Sequence, residues 1–356
     1  MALAERINAF VKLGDFLSQF STKNPVQNTA VVLNDLFFDG MKHQLKLTQE
    51  NNGWFTQENL CFAIENWAKA LQRDSLENWT KNYELDNVSP KKVAIIMAGN
   101  IPLVGFHDFL SVVLAGHEVL VKLSSNDKHL LPYLAKYLEY VAPTLKGKIS
   151  FTDEKLTNFD AVIATGSNNT ARYFEYYFKD KPNIIRKNRN SVAILTGNET
   201  EEQLVRLSND IFTYFGLGCR SVSKLFVPKD YNFDAFFKAM YNKSDVMQSA
   251  KYANNYDYNK AVYLMSLFDI LENGFVMIKE DAQYASPIAT VFYEYYDDIN
   301  ALKEKLSIDA EHIQCIVADI SLENQIAFGQ TQHPELHDYA DGVDTLQFLS
   351  NLSENI

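Results

Sequence analysis

The sequence predicts a two-domain α/β protein whose larger part is a doubly wound parallel sheet. Three observations lead there. From Lys92 onward, short apolar runs alternate with longer helical patterns, the arrangement of sheets whose parallel strands are joined by covering helices. At 356 residues the chain exceeds the size at which one core usually suffices. Its composition, 47% hydrophobic and 22% charged, is that of a globular protein able to fill two cores.

Taken in order, Leu3, Ile7, Phe10, Leu13, Leu17 and Phe20 recur at helical spacing, and the spacing predicts a second helical stretch over 55–79. Lys92 to Gly99 reads as a buried strand. A helix over 105–115, a strand over 118–122 and a helix from Asp127 to Val141 follow. A short strand near Ile149 precedes a strand over 160–165 and a helix over 168–178. Val192 to Leu195 reads as the next strand and Thr200 to Tyr214 as the next helix, its apolar stripe formed by Leu204, Leu207, Ile211 and Phe215. The strand Val222 to Val227 is closed by Pro228. Beyond it, helices are expected over 233–240 and 252–271, strands near Phe275, Thr290 and Ile316, and a helix starting near Ser321. No repeat or low-complexity segment interrupts the pattern. The pattern divides the chain into a helical N-terminal region with a doubly wound domain over 1–218 and a second domain over 219–325. A C-terminal segment over 326–356 then packs back or pairs subunits.

A net charge of -12 without a basic stripe excludes a nucleic-acid groove. Cys61, Cys219 and Cys315 are odd in number and far apart, which fits neither a disulfide framework nor a zinc site. The N-terminus carries charges where a signal peptide needs its apolar core, and no apolar run reaches membrane-spanning length, so a cytoplasmic protein is expected. His333 and His337 stand four apart but lack the His-Glu-X-X-His order, and Pro334 reads as a helix start, so no metal is expected.

Four short segments are placed for chemistry. Asn100-Ile101-Pro102 follows the first strand, at the carboxyl edge where open parallel sheets bind ligands. By itself it is also an ordinary turn. Lys122, with Ser124 and Ser125 behind it, ends the second strand and offers a cation and two hydroxyls to a ribose or a phosphate. Thr165-Gly166-Ser167 lies between a strand and a helix, where backbone amides can face a phosphate or a serine can serve as a plain N-cap. Cys219 ends Phe215-Gly216-Leu217-Gly218-Cys219, between helix and strand, where a thiol is either a nucleophile or a small buried hydrophobe. The aromatic run Tyr173, Phe174, Tyr176, Tyr177 and Phe178 and the group Phe233, Phe236, Phe237 and Tyr241 read as core or as the lining of a tunnel.

In order and approximate spacing, Asn100-Ile101-Pro102, Val121-Lys122-Leu123-Ser124, Thr165-Gly166-Ser167 and Gly216-Leu217-Gly218-Cys219 resemble motifs of the aldehyde dehydrogenase superfamily. The nearest resemblance is to its acyl-CoA reductase (LuxC-like) branch, from Lys91 to the C-terminus and including Tyr339 to Asp344. The resemblance implies that Cys219 attacks an acyl thioester and that Asn100, with the Cys219 N–H, stabilises the oxyanion. It implies a nicotinamide cofactor held by Lys122, Ser124, Ser125, Thr165, Gly166 and Ser167, coenzyme A as the leaving group, and a homo-oligomer. A partner acyltransferase or acyl-protein synthetase would be an alternative donor. The stretch Ile185 to Ser191, where the superfamily carries a water-activating glutamate, contains no carboxylate, which favours acyl exchange with a thiol such as coenzyme A, or acyl transfer from a partner protein, over net oxidation to a free acid. Ala285-Ser286-Pro287 stands for a Phe-Gly-Pro segment, with Gln283 in place of a ribose-binding glutamate. The neutral Leu123 to Asn126 beside Lys122 points to NADPH, since a carboxylate there would repel a 2′-phosphate. Two other readings stand beside this one. Arg186, Arg189 and Arg220 would suit an acyl-phosphate reductase of the glutamyl phosphate reductase type, and a non-catalytic subunit would hold an acyl group on Cys219 without reducing it.

Overall fold

The computed structural model describes residues 1–86, 88–322 and 325–352. It divides into two compact units. The first comprises Met1–Lys187 and the chain from Glu335 onward, the second Asn188–Pro334.

The first unit opens with α1 (Leu3–Ser18), α2 (Asn34–Asn51), α3 (Gln57–Ala70) and α4 (Arg73–Thr80). The stretch expected as one helix over 55–79 is two, broken at Leu71, whose buried side chain sits so close to Gly14 of α1 that a Cβ there would lie 2.9 Å from the Leu71 Cβ. There follow β1 (Lys92–Ile96), α5 (Phe106–Leu114), β2 (Glu118–Lys122), α6 (Leu130–Val141), β3 (Ile149–Phe151), β4 (Ala161–Thr165), α7 (Asn168–Phe178) and β5 (Asn183–Arg186). The strands form an all-parallel sheet in the order β3-β2-β1-β4-β5. Alternation along the strands feeds two cores. Val93, Ile95, Ala161 and Ile163 join α1, α3, α5 and α6 on one face, while Ala94, Val162 and Ala164 pack with Phe159, Phe174 and Phe178 on the other.

The second unit contains β6 (Asn190–Ile194), α8 (Glu201–Phe212), β7 (Val222–Pro228), α9 (Asp234–Met240), α10 (Ala250–Met265), β8 (Ile270–Glu272), β9 (Met277–Glu280), β10 (Thr290–Tyr296), α11 (Ile299–Ile308), β11 (Ile313–Val317) and β12 (Gln325–Ile326). Its sheet runs β12-β11-β6-β7-β10-β9-β8, parallel throughout except for the antiparallel β8/β9 pair. The boundary therefore falls between Lys187 and Asn188, not near Gly218, because β6 hydrogen-bonds to β7 and β11 and not to β5. The helix expected from 252 to 271 ends at Met265, where Leu267 turns left-handed (φ 56°) and the chain enters β8. In place of a helix from Ser321, the chain returns as β12 beside β11. Glu323 and Asn324 lie outside the described residues. Pro334 likewise begins a turn, closed by the Asp338 carboxylate on the Glu335 N–H, and no helix.

The last helix, α12 (Thr345–Asn351), belongs to the first unit, with Leu346, Leu349 and Leu352 in the core beside α5. The segment from 326 onward is thus divided. Its first residues lie in the second unit, and from Glu335 it packs back onto the first. His107 bonds the Leu336 carbonyl and His117 the Leu349 carbonyl, both at 2.9 Å. Tyr339 accepts from the Trp79 indole at 2.9 Å and meets the Tyr83 hydroxyl at 2.8 Å, and Tyr83 donates to Asp344 at 2.8 Å.

One ion pair in this unit is almost completely buried. Arg186, at the end of β5, makes a bidentate contact with Asp108 of α5, the shorter bond 2.7 Å. It also donates to the Ala340 carbonyl at 2.7 Å and to Thr345 at 2.9 Å, so one guanidinium joins sheet, helix and C-terminal segment. Removing one partner leaves a charge without its counterion. Asp108→Ala should therefore lower unfolding free energy by about 3–5 kcal/mol, and the double change Asp108→Leu with Arg186→Met should recover most of it, read from urea unfolding midpoints.

Candidate active site

In the first unit, three of the four predicted segments meet at one edge of the sheet. β1 is hydrogen-bonded to β2 on one side and β4 on the other, with Ile96 aligned to Lys122 and to Ala164. Asn100, Lys122 and Thr165 therefore leave the carboxyl ends of three neighbouring strands. After β1 the chain enters α5 on one face, and after β4 it enters α7 on the other. Diverging connections of this kind open the crevice at which doubly wound sheets take ligands.

The loop after β1 is pressed against the loop after β2. A Cβ on Gly99 would fall 2.5 Å from the Ser124 hydroxyl oxygen, so only glycine permits this approach. The Met97 N–H donates to the Lys122 carbonyl at 3.0 Å. Lys122 is half-buried, and its ammonium donates to the Glu154 main-chain carbonyl at 3.0 Å. Ser124 is half-buried and Ser125 exposed. Leu103, left-handed at φ 56°, donates its N–H to Asp127 at 2.7 Å. That use of its carboxylate explains why α6 starts at Leu130 and not at Asp127. Burial pushes the Asp127 carboxyl up to about 6, against the opposing pull of the Leu103 N–H.

Thr165-Gly166-Ser167 divides its roles. The Gly166 N–H is committed to the Arg186 carbonyl at 3.2 Å, extending the β4/β5 ladder. Ser167 caps α7, accepting from the Thr170 N–H at 3.3 Å. Of the two amides, Gly166 is held by the sheet and Ser167 is exposed at the helix start. The aromatic residues of α7 divide between the sheet and the surface. Phe174 and Phe178 pack against the sheet, while Tyr173, Tyr176 and Tyr177 are exposed. Phe233 and Phe236 are buried against each other, and Tyr241 is exposed.

Cys219 belongs to the second unit. α8 is closed at its start by a capping box of Thr200 and Gln203, and at its end the chain reverses through three left-handed residues, Tyr214, Phe215 and Gly216. Two of them are not glycine, an arrangement that survives only when surroundings over-determine it. The Leu217 N–H closes the reversal on the Tyr214 carbonyl at 3.1 Å, and the Phe215 ring packs on Tyr252. The turn carrying Cys219 is tied on every side. Ser221 N–H bonds the Gly218 carbonyl at 3.0 Å, the buried Ser191 hydroxyl bonds the Cys219 carbonyl at 3.0 Å, and Arg220 donates to the Thr331 carbonyl at 2.5 Å. Gln332 donates to the Ser221 hydroxyl at 3.3 Å. Behind this turn the fully buried Asp210 accepts from the Gly329 N–H at 2.6 Å and from the Thr331 N–H at 3.0 Å. Cys219 itself is half-buried. Cys61 is half-buried with its thiol pushed up by burial, and Cys315 is fully buried in β11.

Residue patterning did not single out Asp127, Asp210 or Ser191. Asp210 carried a signal, a carboxylate within the apolar stripe of α8, whereas Asp127 and Ser191 act across long sequence separations that no local pattern displays. Among the described residues no group of three or more His, Cys, Asp or Glu is placed to hold a metal ion. No described helix is long and apolar enough to cross a membrane.

The family model described as acyl-CoA reductase (LuxC) matches residues 18–267, well over half of the chain. The chain belongs to the acyl-CoA reductase (LuxC) family. It is thus an oxidoreductase that reduces an acyl group to an aldehyde. No curated protein matches it. Among solved structures it is similar to aldehyde dehydrogenase 21 of Physcomitrella patens in complex with succinate, at 12% identity, covering 99% of this chain and 85% of that one, TM-score 0.68. It is also similar to the indole-3-acetaldehyde dehydrogenase AldA of P. syringae (14% identity, 91% and 73% covered, TM-score 0.65) and to the NAD+ complex of an aldehyde dehydrogenase from Bacillus cereus (14%, 91% and 73%, TM-score 0.61). At this identity the likeness is one of fold, and the fold of this acyl-CoA reductase is that of the aldehyde dehydrogenases.

The raised Asp127 makes the stability of the protein depend on pH. Its folded value lies above the ordinary carboxylate value of 3.8, so the native state binds the proton more tightly, and the stability this gives is present below about 4 and lost as pH rises through about 6. Asp127→Asn should remove up to about 3 kcal/mol of pH-dependent change across that window, seen as a flatter plot of urea midpoint against pH than wild type.

Proposed function

We propose that this protein reduces acyl-CoA to an aldehyde with NADPH, through an acyl-enzyme on Cys219. The observation that carries the reading is the turn at Cys219, in which a half-buried thiol has its neighbours on both sides fixed by hydrogen bonds while the family assigns the chain to acyl-CoA reduction. Cys219 as thiolate adds to the thioester carbonyl, forming a C–S bond and an oxyanion that accepts from the Asn100 amide. Collapse of that adduct expels coenzyme A as its thiolate, which takes up a proton, and leaves the acyl group on Cys219. The nicotinamide, when bound, supplies a hydride for the acyl carbon. Asn100 again stabilises the oxygen charge, and Cys219 departs as thiolate when the aldehyde forms.

The donors at the sheet edge suit a phosphorylated dinucleotide. Lys122, Ser124 and Ser125 provide a cation and two hydroxyls, and residues 122–126 include no carboxylate. A 2′-phosphate would take over the ammonium now held by the Glu154 carbonyl. Thr165, Gly166 and Ser167 would flank the cofactor from the β4 side. An acyl group delivered by a partner acyltransferase or acyl-protein synthetase would enter at the same cysteine.

The acyl-phosphate reading loses its basic groups. Arg186 is spent in a buried ion pair, Arg220 is held by the Thr331 carbonyl, and Arg189 faces the carbonyls of Ala310 and Ile313. Followed by loss of NADPH absorbance with acetyl-, octanoyl- and hexadecanoyl-CoA, the wild type should turn over, and Cys219→Ala should show no turnover while retaining NADPH binding. Asn100→Ala should lower kcat by about 100- to 1000-fold. Absence of NADPH consumption with every acyl-CoA, alongside intact NADPH binding, would favour an acyl-holding subunit instead. In a separate titration, Lys122→Ala should weaken NADPH binding about 10-fold while changing NADH binding less, the signature of a lost phosphate contact.

A further inference from the structure

We infer that Asp127 is a positioning residue that locks the Asn100 loop onto the loop carrying Lys122, Ser124 and Ser125. The inference rests on the role proposed for Asn100. The chain between β1 and α5 has no regular structure of its own, and Asn100 can serve an oxyanion only if that loop holds still. Its far end is fixed by one side chain. The Leu103 N–H, presented by a left-handed residue, donates to Asp127 Oδ2 at 2.7 Å. Asp127 is itself anchored, because its own N–H donates to the Ser124 carbonyl at 3.1 Å. The Ser124 loop is tied in turn to the end of α2, where Asn51 donates to the Ser125 carbonyl at 2.9 Å and Asn52 to the Asn126 carbonyl at 3.4 Å. At its near end the Asn100 loop meets the same partner through Gly99 and Ser124.

The chemistry of Asp127 sets it apart from a simple structural contact. Its other oxygen, Oδ1, is buried without a hydrogen-bond partner among the described protein atoms. A buried acceptor left in that state costs stability. What the side-chain oxygen provides is a short acceptor bond that fixes a left-handed turn three residues beyond Asn100. The loop for the oxyanion donor and the loop for the cofactor ribose thereby become one body.

The test uses the full chain and separates positioning from folding. Intact-mass spectrometry follows acylation of Cys219 by octanoyl-CoA without cofactor, and alkylation of the same thiol by iodoacetamide, which needs no oxyanion donor. Asp127→Ala, and Asp127→Ser as a milder change whose hydroxyl stops short of Leu103, should slow acylation about 10- to 100-fold while alkylation stays within about twofold. Amide hydrogen exchange over residues 100–105 should rise in both. Asp127→Asn keeps an acceptor and should acylate within about threefold of wild type. Wild-type acylation in folded Asp127→Ala or Asp127→Ser, a parallel fall in alkylation, or a loss in Asp127→Asn as large as in Asp127→Ala would each overturn the inference. Should the wild type form no acyl-enzyme, the proposed function fails. Hydrogen exchange then decides alone, and unchanged exchange in Asp127→Ser sinks the hold on the loop as well.

Discussion

Val93 and Ile95 enter one core and Ala94 the other, and β4 repeats the pattern with Ala161 and Ile163 against Val162 and Ala164. Burial of both faces of the five-stranded sheet is the constraint on which the rest of the first unit depends. A strand apolar on both sides can carry no chemistry along its length, so polar function is confined to where strands end. Because β1 lies between β2 and β4, the side chains that follow these three strands become neighbours without any attraction among themselves. Hydrophobic burial, at roughly 25 cal/mol per Å², thus provides the force that brings Asn100, Lys122 and Thr165 to one edge. Short polar contacts such as Leu103 to Asp127 then only have to refine positions that packing has already set.

Cys219 is placed by different means. Its turn is held by hydrogen bonds to a strand and a distant loop, and it is reached through three successive left-handed residues. Such a reversal is costly for Tyr214 and Phe215, and ring packing and the Leu217 to Tyr214 bond hold it. The cost is intelligible if the turn must present a thiol in one direction. Asp210 contributes from behind. Buried within α8, its carboxyl is pushed up by desolvation and pulled back by two N–H groups and a hydroxyl from residues 329–331, so the loop that receives Arg220 is itself pinned.

Legibility in the sequence followed the range of the forces involved. β1, β2, β4 and β7 were visible because buried parallel strands are apolar runs, and α5, α6, α8 and α9 because their stripes have helical period. The helix α2 was missed since its mean hydropathy is low and its N-cap, Leu33, is a left-handed residue with no capping side chain. β5 was hidden by charge. Arg186 ends it, and only its pairing with Asp108, far away in the chain, makes a guanidinium acceptable there. The domain boundary failed for a related reason. β6 looks like another strand of the first sheet, and its allegiance to β7 and β11 is decided by pairing that periodicity does not encode. At the candidate site, the placement of Asn100, Lys122 and Thr165 at strand ends was legible, whereas the contacts of Asp127, Ser191 and Asp210 act at long range and were not.

The same long-range logic bears on the fate of an acyl group on Cys219. Acyl-enzymes are hydrolysed when a nearby base activates water, and the stretch from Ile185 to Ser191 supplies none. The absence is built into the fold. Arg186 turns inward from that stretch to bind Asp108, the Ala340 carbonyl and Thr345, so its position serves the core. A glutamate at 186 would set a second carboxylate beside Asp108 in a buried site and release the C-terminal segment from the sheet. Glutamates at 190 and 191 face a different obstacle. Asn190 and Ser191 are in β6, and the Ser191 hydroxyl anchors the Cys219 carbonyl, so a change there disturbs the turn that carries Cys219. Restoring hydrolysis at these positions therefore conflicts with keeping the structure intact. In the proposed reaction the acyl group is left to hydride or to a thiol because the stretch supplies no base, and at 186 and 191 the side chains present are committed to holding the structure.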